Sequence, residues 1–428
     1  MSGYAHRARQ EVSVESDADT STSRDATVQR PLTGLRVLDF TQYLAGPVCT
    51  RMLAEMGCDV IKVELPPWGD PQRASSPRMN KRSGSFVQQN RGKRSLCLDF
   101  NRDQGRAIIE QLIPQVDIVV ENFSPGVLDR RALGYDALAA IKPDIIMVSV
   151  TGFGQTGALS KKPAFDSVVQ AYSGLMHMTG EPDGPPHLAG LPIADTSAGV
   201  HAFAAIGYAL FSRSVTGEGC HIDIAMVDSV FHLHEIPVFA GSIDDAYHAT
   251  GSGQHYATQC PAGAFRGPTG WLVIFCTQEQ VGRLCEAMDR PDLAADERFA
   301  HPASRIQHRQ VLTNEIEQWM RAFATDADVL ERLDAFRVPC SPVVDPSRAG
   351  DHQYFRERGL VHTVHDPMIG PIDVPAFPIR FSNSGTGVGF ETRSLGGDNT
   401  YVLESLLGMD ATQVEALEAI GVIAARSS

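Results

Sequence analysis

The sequence predicts an α/β fold, with a large Rossmann-like domain built on a parallel sheet and a small α+β domain after it. Short β-rich runs alternate with helical stretches from residue 35 to about residue 225, an alternation typical of βαβ units. The run IIMVSV is apolar almost throughout, which indicates a strand buried on both faces of such a sheet. Beyond residue 240, a Gly-rich polar stretch precedes new strand and helix patterns, which indicates the second domain.

The elements of the first half follow one another in a regular order. The first strand, GLRVLDFT, ends near Thr41, and the helix AGPVCTRMLAEMG follows it with Pro47 in its first turn and Gly57 at its end. Further strands are predicted at 59–64, 94–100, 117–123 and 144–154, and helices at 103–115, 135–141 and 195–213.

The second half has weaker but readable patterns. GWLVIFC predicts a strand, and EQVGRLCEAM and TNEIEQWMRAFATDADVLERLDAF predict helices. The chain then returns to short strands and ends in a helix near Tyr401–Leu406. We therefore divide the chain into a disordered polar tail, a large domain, a linker with a glycine-containing loop, a small domain and a C-terminal segment, at residues 1–30, 31–225, 226–265, 266–345 and 346–428.

Composition excludes several classes of protein. The chain has 428 residues and a formal net charge of −14, which is a poor basis for general binding to nucleic acid or anionic membranes. No apolar run approaches the roughly 20 residues of a membrane span, and the acidic N-terminus resembles neither a signal nor a transit peptide. Eight scattered cysteines without a CxxC motif indicate a reducing compartment, so we expect a cytoplasmic protein.

The motif Gly152-Phe-Gly154-Gln-Thr-Gly157 matches GxGxxG and follows a strand. A dinucleotide fingerprint should open a helix and carry an acid about 20 residues later. Here Lys161, Lys162 and Pro163 follow, and the next acid comes too early. The glycines therefore indicate a tight loop rather than an NAD site, and a dehydrogenase is a weak alternative.

A basic cluster lies between residues 73 and 94 and contains Arg73, Arg78, Lys81, Arg82, Arg91, Lys93 and Arg94. Such a cluster is either a solvated surface or a phosphate site, because Arg and Lys match phosphate oxygens. The histidines show no HExxH spacing, so no metal site is expected.

Asp195, in LPIADTSAGVHA, opens a predicted helix. Its residue type and position favour a helix N-cap, where the dipole and backbone N–H groups would lower its pKa. An ionised carboxylate in that position also suits nucleophilic attack on an acyl group. Asp166, in PAFDSVVQAYSG, has the same two interpretations.

The ordered motifs of the chain resemble the class III CoA-transferases, also called the CaiB/BaiF family. The resemblance runs from about residue 31 to 407, and its blocks are PLTGLRVLDFTQYLAGPVCTRMLAEMGCDVIKVE, NRGKRSLCLDF, DIVVENFSPGVLDRRALGYDAL, SVTGFGQTG, PAFDSVVQAYSG, GLPIADTSAGVHA, GEGCHIDIAMVDSV, RVPCSPVV and SLGGDNT. It implies a Rossmann-like large domain, a small domain and a C-terminal segment that returns to the large one. It also implies an interlocked homodimer.

By motif, the resemblance makes Asp195 the nucleophile of a CoA-transferase. The carboxylate would form aspartyl anhydride and aspartyl-CoA thioester intermediates while CoA moves from an acyl-CoA to a free carboxylic acid. CoA is then a substrate, and no tightly bound cofactor is expected. Gly251 and Gly253, in GSGQ, are our candidates for a glycine loop that stabilises the oxyanions.

The resemblance also points to residues that bind CoA. Backbone and apolar groups would hold adenine and pantetheine, while Arg130, Arg131 and the Lys93–Arg94 region would neutralise phosphates. The remaining candidates are Tyr43, Leu44, Ala45, Leu98, Asn122, Phe123 and Met226.

Three departures from the family pattern bear on activity. Acyl-CoA racemases of this fold carry a catalytic histidine where this chain has Phe165, so racemase or epimerase activity is a disfavoured alternative. Formyl-CoA transferases carry Gln and Tyr where Leu44 and Phe153 stand, which indicates an acceptor less polar than oxalate. A short dicarboxylate such as succinate is the expected donor acid. A non-catalytic CoA-binding dimer is a further alternative, although a binder has no need of Asp195.

Overall fold

A parallel sheet forms the centre of the computed structural model, which describes residues 30–387 and 391–425. Its six strands pair in the order β3-β2-β1-β4-β5-β6, the order of Rossmann-type sheets. The strands are β1 Arg36–Asp39, β2 Asp59–Glu64, β3 Arg94–Cys97, β4 Ile118–Glu121, β5 Ile146–Thr151 and β6 Cys220–Ala225. The expected α/β fold with a parallel sheet is confirmed, while the predicted tail lies outside the described residues apart from Arg30.

Helices connect the strands and continue through the rest of the chain. In the large sheet's region they are α1 Ala45–Glu55, α2 Gly84–Asn90, α3 Asp103–Leu112, α4 Tyr135–Ile141, α5 Asp166–Tyr172, α6 Ile193–Thr216, α7 Met226–Phe231 and α8 Pro237–Ile243. Beyond it they are α9 Gln278–Ala287, α10 Pro291–Ala295, α11 Glu297–Ala300, α12 Pro302–Gln307, α13 Arg309–Met320, α14 Asp326–Ala335, α15 Gln353–Glu357 and α16 Ala411–Ala419.

The large sheet is covered on both faces by apolar side chains. One core joins its strands to α3, α4 and the C-terminal residues Val402 and Leu403. The other core joins the opposite face to α1, α6 and α7. Burial on both faces explains why the strands read as nearly continuous apolar runs.

Helices α1 and α6 pack closely because α6 carries a glycine at their crossing. A Cβ atom on Gly199 would come within 2.7 Å of the Ala45 carbonyl oxygen and of Val48 Cβ. The Ala- and Gly-rich sequence of α6 therefore brings its first turn close to the loop that follows β1.

A separate antiparallel sheet, in the region predicted as the small domain, has its own core. Strands β7 Ala262–Arg266, β8 Trp271–Phe275 and β9 Cys340–Pro342 are antiparallel, and β8 lies in the middle. Buried apolar residues between Cys260 and Val338 form a cluster of their own with α9, α13 and α14. Two further hairpins pair Arg78–Met79 with Arg82–Ser83 and β10 Val361–Asp366 with β11 Gly370–Pro375.

Two local predictions need correction. The stretch 226–265, predicted as linker and loop, contains α7, α8 and the first residues of β7. The predicted helix at Tyr401–Leu406 is wound as a π-helix, and α16 follows it without having been predicted. The domain boundaries themselves stay a prediction.

The helices and cysteines of the described residues also bear on membrane insertion and disulfide formation. None of their helices has both the length and the apolar character needed to cross a membrane. All eight cysteines are described, none is in a disulfide, and six of them are buried. Their role as small core residues agrees with the sequence expectation.

Candidate active site

A cavity of about 290 Å³ opens at the carboxyl ends of the parallel strands, beside the point where the strand order reverses between β1 and β4. Such a crevice is the usual ligand site of open α/β sheets. Its wall consists of residues 42–45 after β1, 122–125 after β4, 150–152 at the end of β5, 160–165, Asp195 and Met226. The structure thus brings together Tyr43, Leu44, Ala45, Asn122, Phe123, Met226 and Asp195 of the predicted set.

The turn after β1 is held by the side chain of Asn122. Asn122 Oδ1 accepts a hydrogen bond from Gln42 N at 2.7 Å, and its Nδ2 donates to Gln42 O at 2.8 Å. Tyr43 has a left-handed backbone (φ 60°), and its N–H donates to Asp70 Oδ1 at 3.1 Å. These contacts hold the turn in a conformation that a non-glycine residue seldom adopts.

Buried charges lie beneath this turn. Asp39, which is fully buried, accepts hydrogen bonds from the Thr41 backbone and hydroxyl at 2.8 and 2.5 Å. Its second oxygen lies 3.0 Å from Lys93 Nζ. Burial alone would raise the pKa of Asp39, but the charges of Lys93 and Lys62 hold it at about 2. Asp39 is therefore an ionised anchor for the turn.

A second buried pair supports the same turn. Lys62 Nζ donates to the Thr41 carbonyl at 2.6 Å and lies 2.9 Å from Asp70 Oδ2. Since Asp70 also receives the Tyr43 N–H, the pair ties both ends of the turn to β2 and the loop after it. Lys62 is 21 residues from Thr41 in the sequence, and Asp70 is 27 residues from Tyr43.

Asp195 lies in the first turn of α6, which begins at Ile193. Its side chain does not cap the helix, and in the described part of the chain its carboxylate has no hydrogen-bond partner. Burial raises the pKa of Asp195 to about 7, and repulsion from Asp166 adds to the effect. Both parts of the N-cap interpretation, the cap and the lowered pKa, were wrong.

Asp166 caps α6 in its place. Its Oδ1 accepts hydrogen bonds from the backbone N–H groups of Ala194 at 2.8 Å and Asp195 at 3.3 Å. Its Oδ2 accepts one from Gln170 Nε2 at 2.6 Å. Asp166, the first residue of α5, thus accepts hydrogen bonds from the free N–H groups at the start of α6 and fixes the backbone of Asp195.

The cavity also contains polar groups that sequence reasoning missed. Lys161 and Lys162 line it, and Lys162 Nζ lies 5.5 and 5.2 Å from the ring centres of Phe153 and Tyr172. The buried Thr151 hydroxyl has no hydrogen-bond partner among the described residues. Two adjacent lysines after a Gly-rich loop were the available signal, but they were used only as evidence against a dinucleotide site.

Several predicted residues lie elsewhere. Leu98 is buried and bridges to Ile423, and Lys93 is enclosed beneath the turn. Arg94 pairs with Asp59 at 2.7 Å and stacks over the Tyr401 ring. None of the three lines the described cavity.

Arg130 and Arg131 follow the cavity wall at 122–125 but do not line the cavity itself. Arg131 Nε donates to Asn101 Oδ1 at 2.5 Å. Gly251 and Gly253 also lie outside the wall, and the Gly253 N–H donates to the Gly180 carbonyl at 2.8 Å. The proposed oxyanion role of this loop stays a prediction.

The structure also corrects the interpretation of the basic cluster as a phosphate site. Arg78 and Lys81 are exposed on a hairpin, whereas the other members form ion pairs within the fold. These pairs join Arg73 to Glu64, Arg82 to Asp366, Arg91 to Glu55, Lys93 to Asp39 and Arg94 to Asp59. Most of the local charge excess is therefore neutralised internally.

The described residues contain no group of three or more His, Cys, Asp or Glu side chains able to hold a metal ion. The cavity instead combines one carboxylate, two lysines, four hydroxyl-bearing residues and backbone groups at strand ends. Such a set can position an anionic ligand next to a carboxylate nucleophile.

Comparison with known proteins identifies the family. The sequence model of CoA-transferase family III matches residues 32–399. The chain is 34% identical over 404 residues to succinyl-CoA–D-citramalate CoA-transferase of Chloroflexus aurantiacus, covering 92% of this chain and 98% of that protein. It is 38% identical over 364 residues to succinyl-CoA:mesaconate CoA-transferase of Haloarcula hispanica, covering 82% and 90%.

A solved structure agrees with this assignment. The fold is similar to that of a CaiB/BaiF family protein from Brucella suis, with a TM-score of 0.79 and 31% sequence identity. The similarity covers 88% of this chain and 100% of that chain. The chain therefore belongs to the class III CoA-transferases, the CaiB/BaiF family.

Proposed function

We propose that this protein transfers CoA from an acyl-CoA to a free carboxylic acid and that Asp195 carries the CoA between them as an aspartyl-CoA thioester. The observation that supports this most directly is the position of Asp195. It lies in a cavity at the switch point of a Rossmann-type sheet, beside the turns at Tyr43–Ala45 and Asn122–Phe123. CoA is a substrate in this proposal, and no resident cofactor is required.

The reaction is a sequence of acyl transfers. The Asp195 carboxylate attacks the thioester carbonyl, the C–S bond breaks, and an aspartyl–acyl anhydride and CoA thiolate form. The thiolate attacks the aspartyl carbonyl, which releases the donor acid and leaves an aspartyl-CoA thioester. The acceptor carboxylate displaces CoA to form a second anhydride. CoA then attacks the acceptor carbonyl, which restores the Asp195 carboxylate.

A short dicarboxylic acid is the proposed donor, with succinyl-CoA as its thioester. Two relatives are named for succinyl-CoA, which supports this class of donor. Lys161 and Lys162 line the cavity and supply positive charge for a second carboxylate. Leu44 and Phe153 favour an acceptor that is less polar than oxalate.

The proposed assembly is an interlocked homodimer. Tyr208, Phe211 and Val215 lie on one face of α6 at helical spacing and are 71–78% exposed in the single chain. Ile243 on α8 is equally exposed. An apolar face of this kind is typical of a surface covered by a partner subunit.

Trapping of the acyl-enzyme tests the reaction. Incubation with succinyl-CoA and hydroxylamine is expected to leave a hydroxamate on Asp195, since hydroxylamine attacks activated aspartyl carbonyls. Mass spectrometry of the tryptic peptide 162–213 detects it, and fragmentation must separate Asp195 from Asp166, Glu181 and Asp183. The Asp195→Ala variant is the control.

The same experiment distinguishes the alternatives. A racemase or a non-catalytic binder would bind CoA without forming any hydroxamate, and a racemase would exchange the α-proton of its acyl-CoA with deuterium from the solvent. Phe165 lines the cavity where racemases of this fold carry a histidine, so no such exchange is expected. Acyl exchange confined to long or branched acids would overturn the dicarboxylate assignment.

A pH profile tests the state of the nucleophile. Because burial and Asp166 raise the pKa of Asp195 to about 7, kcat/KM should rise roughly tenfold per unit below that pH and level off above it. Asp166→Asn removes the repulsion but keeps an oxygen for the α6 N–H groups, so the midpoint should move to lower pH.

Asp183→Asn provides the matched control, because Asp183 is an exposed carboxylate of the same region. Its profile should coincide with that of the unmodified protein. If the Asp166→Asn variant has the same midpoint as the unmodified protein, a group other than Asp195 governs the pH profile.

A further inference from the structure

Glu121 is a buried acid that the proposed reaction does not use. It ends β4 directly before Asn122 and is 5% exposed. Its Oε2 accepts a hydrogen bond from the Phe123 N–H at 2.7 Å. Glu121 therefore holds the backbone of Phe123, in the segment 122–125 that forms one wall of the cavity.

A chain of polar groups connects Glu121 to the surface. Ser149 lies opposite it on β5 and hydrogen bonds to its carboxylate. Ser149 Oγ also lies 2.9 Å from Nε2 of His221, an exposed residue on β6. The His221 ring stacks on Tyr135 with centroids 5.4 Å apart, which fixes its orientation.

The charges that act most strongly on Glu121 and His221 are negative. Asp129 and Asp223 face Glu121, and the same two acids together with Asp136 of α4 face His221. Burial raises the pKa of Glu121 to about 7, although the Ser149 and Phe123 hydrogen bonds oppose it. Burial lowers the pKa of His221, and the acids oppose that shift.

Glu121 differs in this respect from the other buried acids near the turn. Asp39 lies 3.0 Å from Lys93, and Glu64 lies 2.7 Å from Arg73. Each of these carboxylates has a cation that keeps it ionised, whereas Glu121 faces a serine, a backbone N–H and further acids. Its protonation is therefore free to change near neutral pH.

We propose that Glu121 is a positioning residue whose ionised carboxylate holds the Asn122–Phe123 turn ready for acyl-CoA, with Ser149 and His221 as its proton path. A charged acceptor binds the Phe123 N–H more strongly than a neutral acid does. Protonation of Glu121 therefore loosens this wall and weakens binding. The inference rests on the proposed function, because it takes acyl-CoA as the ligand of this turn.

The proton transfer along this path requires no other reactant. Protonated Glu121 gives its proton to Ser149 Oγ while the Ser149 hydroxyl gives its own to His221 Nε2. This leaves a carboxylate and an imidazolium, and the imidazolium releases a proton to water.

Binding of dephospho-CoA measured by calorimetry between pH 6 and 7.8 tests the inference. This probe lacks the 3′-phosphate, which would itself titrate near pH 6. The measurements use the Asp195→Asn background, which removes the cavity carboxyl, whose pKa is also raised to about 7, and prevents turnover. With Glu121 intact, the dissociation constant should rise about fivefold towards pH 6, the difference between a charged and a neutral acceptor.

Three variants in that background sharpen the result. The Glu121→Gln variant should bind dephospho-CoA at every pH as weakly as the protein with Glu121 intact binds it at pH 6. Ser149→Ala should move the midpoint to higher pH, because it removes a hydrogen bond that favours the carboxylate. Asp136→Asn, which removes an exposed acid of the same region, should keep the pH dependence.

The possible failures are distinct. Binding that is independent of pH with Glu121 intact, or pH-dependent binding in Glu121→Gln, would overturn the positioning role alone. Absence of dephospho-CoA binding at every pH would overturn the proposed function as well, because the turn would then have no CoA to hold.

Discussion

Replacing Asp195 by Asn is expected to lower kcat by at least roughly 10³-fold, because the amide cannot attack the thioester. Asn keeps the size of the side chain and leaves the α6 N-terminus capped by Asp166. Calorimetry with CoA should therefore show a dissociation constant close to that of the unmodified protein. Turnover of succinyl-CoA with a panel of acids, followed by chromatography, measures the loss.

The same substitution is expected to stabilise the fold at pH 8. The raised pKa of Asp195 means that the folded state favours the protonated acid, so ionisation costs stability as pH rises from about 4 to about 7. Asn carries no charge to desolvate. We expect a gain of about 1–2 kcal/mol in the free energy of unfolding, a value reduced from the full shift because the site is partly solvated.

Urea unfolding at pH 4 and pH 8 separates this effect from ordinary packing changes. At pH 4 the aspartate is largely protonated in the folded state, and the two proteins should be equally stable. Equal stability at pH 8, or retained turnover, would contradict the assignment of Asp195 as a destabilised nucleophile.

Replacing Asp39 by Ala is expected to cost about 3–5 kcal/mol of stability, because it leaves Lys93 buried without its counterion. The substitution also removes the acceptor of the Thr41 and Thr50 hydroxyls. Loss of these contacts frees the turn that forms the cavity wall, so CoA binding should weaken as well. Urea unfolding at fixed protein concentration measures the first effect.

Two variants control this prediction. Asp103→Ala removes an acid whose side chain is 89% exposed and pairs with Arg106, so its cost should stay below about 1 kcal/mol. Asp39→Ala combined with Lys93→Met should recover part of the lost stability, because no unpaired charge remains buried. A double variant less stable than Asp39→Ala would show that Lys93 stabilises the fold independently of Asp39.

Local patterns were sufficient for much of the fold. The strand predicted at 59–64 and the helix predicted at 135–141 match the structure to the residue. In both elements the spacing of apolar residues is a property of consecutive residues. It therefore predicts the element without knowledge of the segments that pack against it. The prediction of a loop at 226–265 was wrong because the helices α7 and α8 are short and the Gly-rich composition of the stretch resembles a loop.

The residues near the cavity were partly predictable for a different reason. The family resemblance pointed to Tyr43, Asn122 and Met226. Asn122 and Met226 directly follow strands and Tyr43 lies four residues after one, and parallel strands bring their carboxyl ends to one edge of the sheet. The ion pairs of Lys93 and Arg94 were not predicted, because basic residues in a row give no indication of where their carboxylates lie. Arg94, for example, pairs with Asp59 and Asp398.

The sequence by itself determined the α/β class, the order of the strands along the chain, the family resemblance and the choice of Asp195. Only the tertiary structure decided that Asp166 caps α6, that the pKa of Asp195 is raised, and that most of the basic cluster is neutralised. The physical reason is the distance along the chain over which each interaction acts. Hydrophobic periodicity acts between neighbours in the chain, whereas burial and charge pairing depend on groups that meet only after folding.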